Sequence, residues 1–224
     1  MLEYLIDGGL MMIPLMLCSI LAVAVIIDRV LAFRKADADT HSLRMAVSEA
    51  LESGKLDAAI EACKKYRGPV AAVTLAGLDK LRRLLQRRRP LAEIELNVGK
   101  TMEDFAPHVL ENLEKRLNIL ALIAAASPLL GMTGTVTGMI KSFDQIVQTG
   151  GGNIAEAAAG GISEALVTTA AGLLIALPAL VAYNLLTKRI DRYTLEIEKS
   201  TTELIDFISL RHGKESSKSE SRSA

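Results

Sequence analysis

Three stretches without a charged side chain constrain the fold of this chain most. They cover residues 8–27, 117–140 and 165–187, which are 20, 24 and 23 residues long. A helix needs roughly 20 apolar residues to cross the hydrocarbon core of a bilayer, which is about 30 Å thick. Half of the whole chain is hydrophobic, which is typical of a membrane protein. We therefore predict an all-α integral membrane protein with three transmembrane helices.

The distribution of Lys and Arg predicts how these helices are oriented. Of the 26 basic residues, 17 fall between the first and second stretches, 8 follow the third, and only Lys141 lies between the second and third. Basic loops stay in the cytoplasm, so we expect a cytoplasmic loop, a cytoplasmic C-terminus and an outward N-terminus. Residues 1–8 contain no basic side chain, which argues against a cleaved signal peptide.

The long loop between the first two spans is expected to be helical. Thr40 is a candidate cap for a helix that closes at Gly54, and a second helix is expected over 56–66 with an apolar stripe. Gly68-Pro69 should break the chain before another helix that ends near residue 86.

Two further expectations concern helix ends. No strong breaker follows Pro107, so we predict one helix from 107 to 147 that runs into the second span. The last twelve residues, GKESSKSESRSA, have no large apolar side chain, and we expect them to be disordered.

The basic run 87–89 lacks a neighbouring aromatic residue, which favours a solvated helix end or a lipid-headgroup contact over a nucleic-acid site.

Small residues recur every three or four positions in the second and third spans, which allows helices to approach closely. In the second span they are Ser127, Gly131, Gly134, Thr135 and Gly138; in the third they are Gly161, Ala165, Thr168, Gly172, Ala176 and Ala179. The chain's own helices could use both faces. Because a three-helix protomer offers few partners for two such faces, we expect a homo-oligomer.

Pro128 and Pro178 lie inside these spans, and each frees one backbone carbonyl four residues earlier. We predict a helix kink at each.

A band of hydroxyl groups lies in the same two spans, at Thr133, Thr135, Thr137, Thr168 and Thr169. Such hydroxyls can line a wet pore, or they can simply bond the carbonyl of the preceding helical turn, which is the more frequent case.

Glu164 is the carboxylate at the edge of the third span, where an ionisable group is costly and is treated as functional by default. The alternative is an interfacial residue in water. Residues 165–187 and 117–140 contain no Asp, Glu, His, Lys or Arg, so this chain alone has no midplane group that could relay protons. We find no catalytic constellation and predict no enzyme activity, and the two cysteines offer no metal-ligand spacing.

Three blocks of sequence resemble the MotA/TolQ/ExbB proton-channel family, in its three-span ExbB and TolQ branch. The blocks are GGLMMIPLMLCSILAVAVIIDRVLAFRKA, ASPLLGMTGTVTGMIKSF and GISEALVTTAAGLLIALPALVAYNLL. One departure is Ser127, since an alanine-proline pair is commoner in the family. A serine at this position can bond a carbonyl freed by Pro128.

The resemblance implies a homopentameric ring in the bacterial inner membrane, with no cofactor and no nucleic acid. Its second and third spans would line a pore that holds the single-span helix of an ExbD- or TolR-like partner, whose aspartate carries the proton. The motifs GTV and GISEAL with the following TT pair place the pore polar residues at Thr135, Glu164 and Thr169, with Thr168 and Thr137 secondary. Gly131, Gly134, Gly138 and Gly172 would pack the helices, and the first span would face lipid.

The implied function is conversion of the proton motive force into work on an envelope system, TonB-dependent uptake or Tol-Pal-like, through a TonB- or TolA-like protein. A non-conducting membrane scaffold and a motility-type stator remain alternatives, as does sodium as the ion. The expected segments are 1–33 with the first transmembrane helix, 34–116 as the cytoplasmic helical region, 117–147 and 162–187 as transmembrane helices 2 and 3, 148–161 as the periplasmic connection, 188–212 as a cytoplasmic helix, and 213–224 as a disordered tail.

Overall fold

A computed structural model describes residues 9–36, 39–148 and 154–223, with side chains described up to residue 210 except at 154, 156 and 157. The glycine run at 150–152 and the start of the chain at 1–8 lie outside the described residues. Every regular element in the described ranges is an α-helix. The all-α prediction is therefore confirmed.

The helices are α1 (Met12–Ala36), α2 (Thr40–Glu52), α3 (Leu56–Lys65), α4 (Pro69–Gln86), α5 (Leu91–Glu114), α6 (Leu117–Gln148) and α7 (Ile154–Ser223). Three of them, α1, α6 and α7, contain segments long and apolar enough to cross a bilayer. This matches the three predicted transmembrane helices.

The chain divides into two compact units. The membrane unit comprises Met1–Val30 and Arg116–Thr187, and the bundle unit comprises Leu31–Lys115 and Lys188–Ala224. The uncharged stretch of each long apolar helix lies in the membrane unit. The charged ends of α1 and α7 belong to the bundle unit.

In the membrane unit, most of the large apolar side chains of α1 are exposed. The helix buries Met12, Leu15, Ala22 and Val25 and leaves most of its other large apolar side chains exposed. An apolar surface of this kind is stable against lipid chains rather than water. This agrees with the expectation that the first span is an outer, lipid-facing helix, which stays a prediction.

An ion cluster joins α1 to the start of α6. The Asp28 carboxylate accepts hydrogen bonds from Arg29, at 2.9 and 2.7 Å, and from Arg116 at 2.8 Å. Arg29 is only 8% exposed, and a buried guanidinium requires such a partner. The cluster fixes the charged ends of the two uncharged stretches beside each other.

In the bundle unit, the first short helix has a different cap from the predicted one. Asp39, rather than Thr40, is the N-cap of α2, and its carboxylate accepts from the Ser42 backbone N–H at 3.1 Å. Both residues can cap, but the Asp39 carboxylate also accepts from the Ser42 hydroxyl. Gly54 follows the helix with a φ of +70°, the left-handed conformation that commonly ends helices.

The core of the bundle unit is formed by the apolar stripes of α2 to α5 and the last part of α7. The stripe predicted over 56–66 is buried at Ala59, Ile60 and Cys63. Other fully buried side chains are Leu43, Val73, Leu78, Ile94, Val98, Met102 and Leu204. These residues close one hydrophobic core, as required of a small helical bundle.

Two expected helix boundaries are wrong in detail. Residues 107–147 do not form one helix, because a turn at Lys115 and Arg116 separates α5 from α6. Pro107 does not begin a helix either, since it lies inside α5. The backbone is helical to Ser223. Disorder of residues 213–224 in solution stays a prediction.

Candidate functional site

The α6 and α7 helices of the membrane unit approach so closely that side chains larger than hydrogen do not fit at several positions. A Cβ added to Gly138 would lie 2.6 Å from the Gly161 carbonyl oxygen, and one added to Gly172 would lie 2.6 Å from the Ser127 carbonyl oxygen. Real Cβ atoms are not found at such distances from backbone. These glycines therefore determine the separation of the two helices.

The two predicted small-residue faces pack against each other within the chain. On α6 the buried face is formed by Ser127, Gly131, Gly134 and Gly138, and on α7 by Gly161, Ala165, Thr168, Gly172, Ala176 and Ala179. Thr135 is the predicted member that is not fully buried. Because the helices of one chain already occupy both faces, these faces no longer argue for a homo-oligomer.

Thr169 joins α7 to α6 by a hydrogen bond. Its hydroxyl donates to the Gly131 carbonyl oxygen at 3.2 Å, next to the place where a Cβ on Gly131 would lie 3.1 Å from the Thr169 Cα. Inside a bilayer, hydrogen bonds between helices replace water as the partner of polar groups. The side chain is partly exposed, so it is both anchored to α6 and accessible.

The other threonines bond within their own helices. The hydroxyls of Thr135 and Thr137 donate to the carbonyls of Met132 and Gly134, at 2.6 and 3.0 Å. This is the more frequent arrangement for a threonine in a membrane helix. Both side chains remain partly exposed. Thr135 lies one turn after Gly131, on the face of α6 that receives Thr169.

Thr168 is placed differently from the expected pore residues. It is fully buried, and a Cβ on Gly134 would overlap its side chain. Its hydroxyl donates to the Glu164 backbone carbonyl at 2.6 Å. The geometry therefore places Thr168 in the packing between α6 and α7, and its secondary role in the pore stays a prediction.

Glu164 is held by two neighbours that the sequence analysis did not select. The Lys141 ammonium nitrogen lies 2.6 Å from the Glu164 Oε1 atom. On the other side, a Cβ on Gly9 would overlap the Glu164 carboxylate, and Gly9 has a φ of +64°. The Glu164 side chain is 17% exposed. An ion pair formed by a largely covered carboxylate is stronger than one at a fully hydrated surface.

The hydroxyl of Ser127 does not form a hydrogen bond to a carbonyl freed by Pro128. This hydroxyl is completely buried. Within the described part of the chain, it is one of two buried side-chain polar atoms that have no hydrogen-bond partner. The bond that it could form with a carbonyl freed by Pro128 is therefore not made. The side chain instead lies on the buried face of α6 near Gly172. Helices α6 and α7 continue through Pro128 and Pro178, and the kinks stay predictions.

Three residues of the site were not predicted, and they differ in how clearly the sequence indicates their roles. Lys141 is the single basic residue between the second and third stretches, and that isolation was a usable signal, although we applied it only to orientation. Gly9 gave no signal, because its role depends on a positive φ and on a long-range contact. Ser142, whose hydroxyl lies 3.1 Å from the Ala158 carbonyl oxygen, was outside the uncharged stretch and was not considered.

Comparison with known proteins agrees with this architecture. The model of the MotA/TolQ/ExbB proton channel family matches residues 68–199. A putative biopolymer transport protein, ExbB-like 1, of Synechocystis sp. is 34% identical over 83% of this chain and 70% of that protein. The biopolymer transport protein exbB1 of Vibrio cholerae is 30% identical over 85% of this chain and 80% of its own length.

A shorter match is closer in sequence. The biopolymer transport protein ExbB of Salmonella typhimurium is 49% identical, over 33% of this chain and 30% of that protein. The family match covers more than half of the chain and includes both α6 and the apolar part of α7. The chain therefore belongs to the MotA/TolQ/ExbB proton channel family, in its ExbB/TolQ-like branch.

Proposed function

We propose that this chain is the channel subunit of a bacterial inner-membrane motor that converts the proton motive force into work on an envelope system. The observation that carries this proposal is the geometry of the α6 and α7 pair. Thr135, Glu164 and Thr169 are partly exposed polar groups on helices locked together through glycine contacts. A rigid pair of helices with accessible hydroxyls suits a polar pathway through a bilayer.

The pathway needs a titratable group from outside this chain. Residues 117–140 and 165–187 contain no Asp, Glu, His, Lys or Arg, and hydroxyl groups do not take up protons at physiological pH. An aspartate on the single-span helix of an ExbD- or TolR-like partner supplies that group in this proposal. Its protonation beside Thr135 and Thr169 removes its charge and lets the partner helix move.

The energy available sets how many protons are needed. One charge moved through the membrane potential yields about 2.3 kcal/mol per 100 mV. A mechanical step that costs more than this requires several protons. A homopentamer surrounding the partner helices offers repeated equivalent positions for such steps, and the family resemblance supports that assembly. The N-terminus is outside and the bundle unit is cytoplasmic in this arrangement, as the Lys and Arg distribution favours.

Native mass spectrometry of the complex, extracted gently from its own membrane, tests the proposal. We expect five copies of this chain with fewer copies of a small single-span protein that has an aspartate in its membrane helix. A monomer or dimer without such a partner would contradict the motor. It would favour the non-conducting scaffold, which also predicts that Thr135→Val is tolerated and that function does not depend on the proton gradient.

The client is a separate part of the proposal. Several relatives are named biopolymer transport proteins, which favours TonB-dependent uptake over a Tol-Pal-like system or a motility-type stator. Deleting the gene for this chain should then abolish uptake of substrates that need a TonB-like protein. An unchanged uptake with a defective outer envelope would favour the Tol-Pal-like system instead.

A further inference from the structure

We propose that Lys141 is a positioning residue that prevents metal cations from binding at Glu164, so that the outer end of the pathway accepts protons but not Na⁺. This inference rests on the proposed function, because it concerns which ion reaches the same pathway. It is carried by the ion pair between Lys141 and Glu164, at 2.6 Å, and by the enclosure of that carboxylate beside Gly9.

The ion pair neutralises the carboxylate at the place where a cation would first be attracted. Glu164 lies directly before the uncharged stretch 165–187, and Lys141 directly after the uncharged stretch 117–140. A lone carboxylate at this edge would concentrate all cations near the pathway. With the Lys141 ammonium beside it, the charges of this pair cancel, which weakens that attraction.

The ammonium also occupies one of the two carboxylate oxygens that a metal ion could use. Hard cations bind through several oxygen ligands, and carboxylates are among the strongest of them. The Oε1 atom of Glu164 accepts a hydrogen bond from Lys141, and the Glu164 backbone carbonyl accepts one from Thr168. A sodium ion would have to displace the ammonium and lose its own water, whereas a proton needs neither a coordination shell nor space.

The environment of the carboxylate restricts its movement away from Lys141. Gly9 adopts a φ of +64°, and a side chain there would overlap the Glu164 carboxylate. The neighbouring residue Ala165 is buried against Gly138, which fixes the backbone from which Glu164 extends. The Lys141 side chain is 52% exposed, so it can be replaced without opening a cavity.

The test measures sodium binding at Glu164 by protection from a carbodiimide, which modifies accessible carboxyl groups. The complete complex in its own membranes is treated with dicyclohexylcarbodiimide in choline chloride or in NaCl at one pH, and Glu164 modification is measured by peptide mass spectrometry. We expect NaCl to leave the wild-type rate unchanged. In Lys141→Gln, NaCl at about ten times the Kd for Na⁺ should slow the modification about tenfold, because a carboxylate with bound Na⁺ does not react.

Matched variants separate charge from structure. Lys141→Arg keeps the positive charge and should behave as the wild type, while Lys141→Ala is a second neutral variant and should behave as Lys141→Gln. Glu164→Gln should abolish modification at position 164, which fragmentation of the peptide distinguishes from modification at Asp144 and Glu156. Sodium protection in the wild type, or no protection in both neutral variants, would overturn the inference.

Ion flux in proteoliposomes keeps this inference distinct from the proposed function. The wild-type complex should conduct protons without Na⁺, and Lys141→Gln should gain Na⁺ flux that the added Glu164→Gln change removes. Proton flux with unchanged selectivity in Lys141→Gln overturns only the role of Lys141. A wild-type complex that moves no protons when driven by a gradient overturns the proposed function, while the labelling result still decides whether Lys141 excludes Na⁺ from the carboxylate.

Discussion

The hydroxyl of Thr169 on α7 donates a hydrogen bond to the Gly131 carbonyl oxygen on α6, at 3.2 Å. This contact can form because Gly131 has no side chain, so that the α7 backbone lies against α6 at this point. Thr169 is nevertheless partly exposed. One residue thus both fixes the helix pair and presents a polar atom.

Replacing Thr169 by valine should weaken the membrane unit slightly. The change keeps the shape of the side chain but removes the interhelical hydrogen bond, which is worth about 0.6 to 1 kcal/mol in a membrane protein. Thermal unfolding of the complex in detergent should detect a small fall in apparent melting temperature. Thr137→Val, which removes a bond within α6 only, is the matched control. Equal effects of the two variants would contradict this account.

Adding a methyl group at Gly172 should be more harmful. Gly172→Ala would place a Cβ 2.6 Å from the Ser127 carbonyl oxygen, and because that atom is backbone the helices must separate. Overpacking of this kind costs about 1 to 3 kcal/mol. Gly160→Ala on the same helix is the control, since apart from the adjoining backbone of its own helix no described atom lies within 4 Å of a Cβ there. Chemical unfolding of both variants checks the prediction, which fails if Gly172→Ala is as stable as the wild type.

These two positions illustrate what sequence could predict. Gly172 belongs to a stripe of small residues whose spacing follows the helical period, so its burial followed from the pattern alone. The hydrogen-bond partner of Thr169 did not follow from the pattern. A threonine hydroxyl can bond a carbonyl of its own helix or of another helix, and the choice depends on the offset between α6 and α7. The Lys141 contact with Glu164 spans 23 positions in sequence, and no local pattern indicates such a pairing.

Local ambiguity explains the smaller errors. Asp39 and Thr40 are adjacent residues that both cap helices well, and only the structure distinguishes them. The predicted helix begins at Pro107 because proline usually breaks a helix and no strong breaker follows it before the second span. Pro107 instead lies inside α5, which shows that tertiary packing can override this preference.

Cys63 should be unreactive in the folded chain. Burial raises the pKa of its thiol to about 12, with the nearby Asp79 carboxylate adding to the effect. At pH 8 the thiolate is then only about one part in ten thousand, and the thiolate is the reactive form. In a Cys18→Ser background, maleimide should label Cys63 only after denaturation. Rapid labelling of the native protein at pH 8 would contradict its placement in the core.

The bundle unit should lose stability in acid through Glu196. Hydrogen bonds from Lys199 and then from Arg44 hold the pKa of Glu196 below its ordinary value. A carboxyl group with a lowered folded-state pKa stabilises the fold above its ordinary pKa, and this contribution disappears as the pH falls through the folded-state pKa. Glu196→Gln should therefore lower the apparent melting temperature at neutral pH.

The measurement for Glu196 is thermal unfolding of the full chain in nanodiscs at several pH values. The difference between wild type and Glu196→Gln should shrink as the pH approaches and passes below the ordinary glutamate range. Glu198→Gln, an exposed position on the same helix, is the control and should have little effect at any pH. A difference that is constant with pH would show that Glu196 acts through packing rather than charge.

The most direct test of the proton pathway is the energised function of site variants in a strain that lacks the native copy. Thr169→Ala and Glu164→Ala should each abolish the function that depends on the proton gradient, while native mass spectrometry still finds the complex assembled. Thr133→Ala, which removes a hydroxyl that bonds only its own helix, should retain function. Intact function in both Thr169→Ala and Glu164→Ala would contradict the assignment of the pathway to α6 and α7.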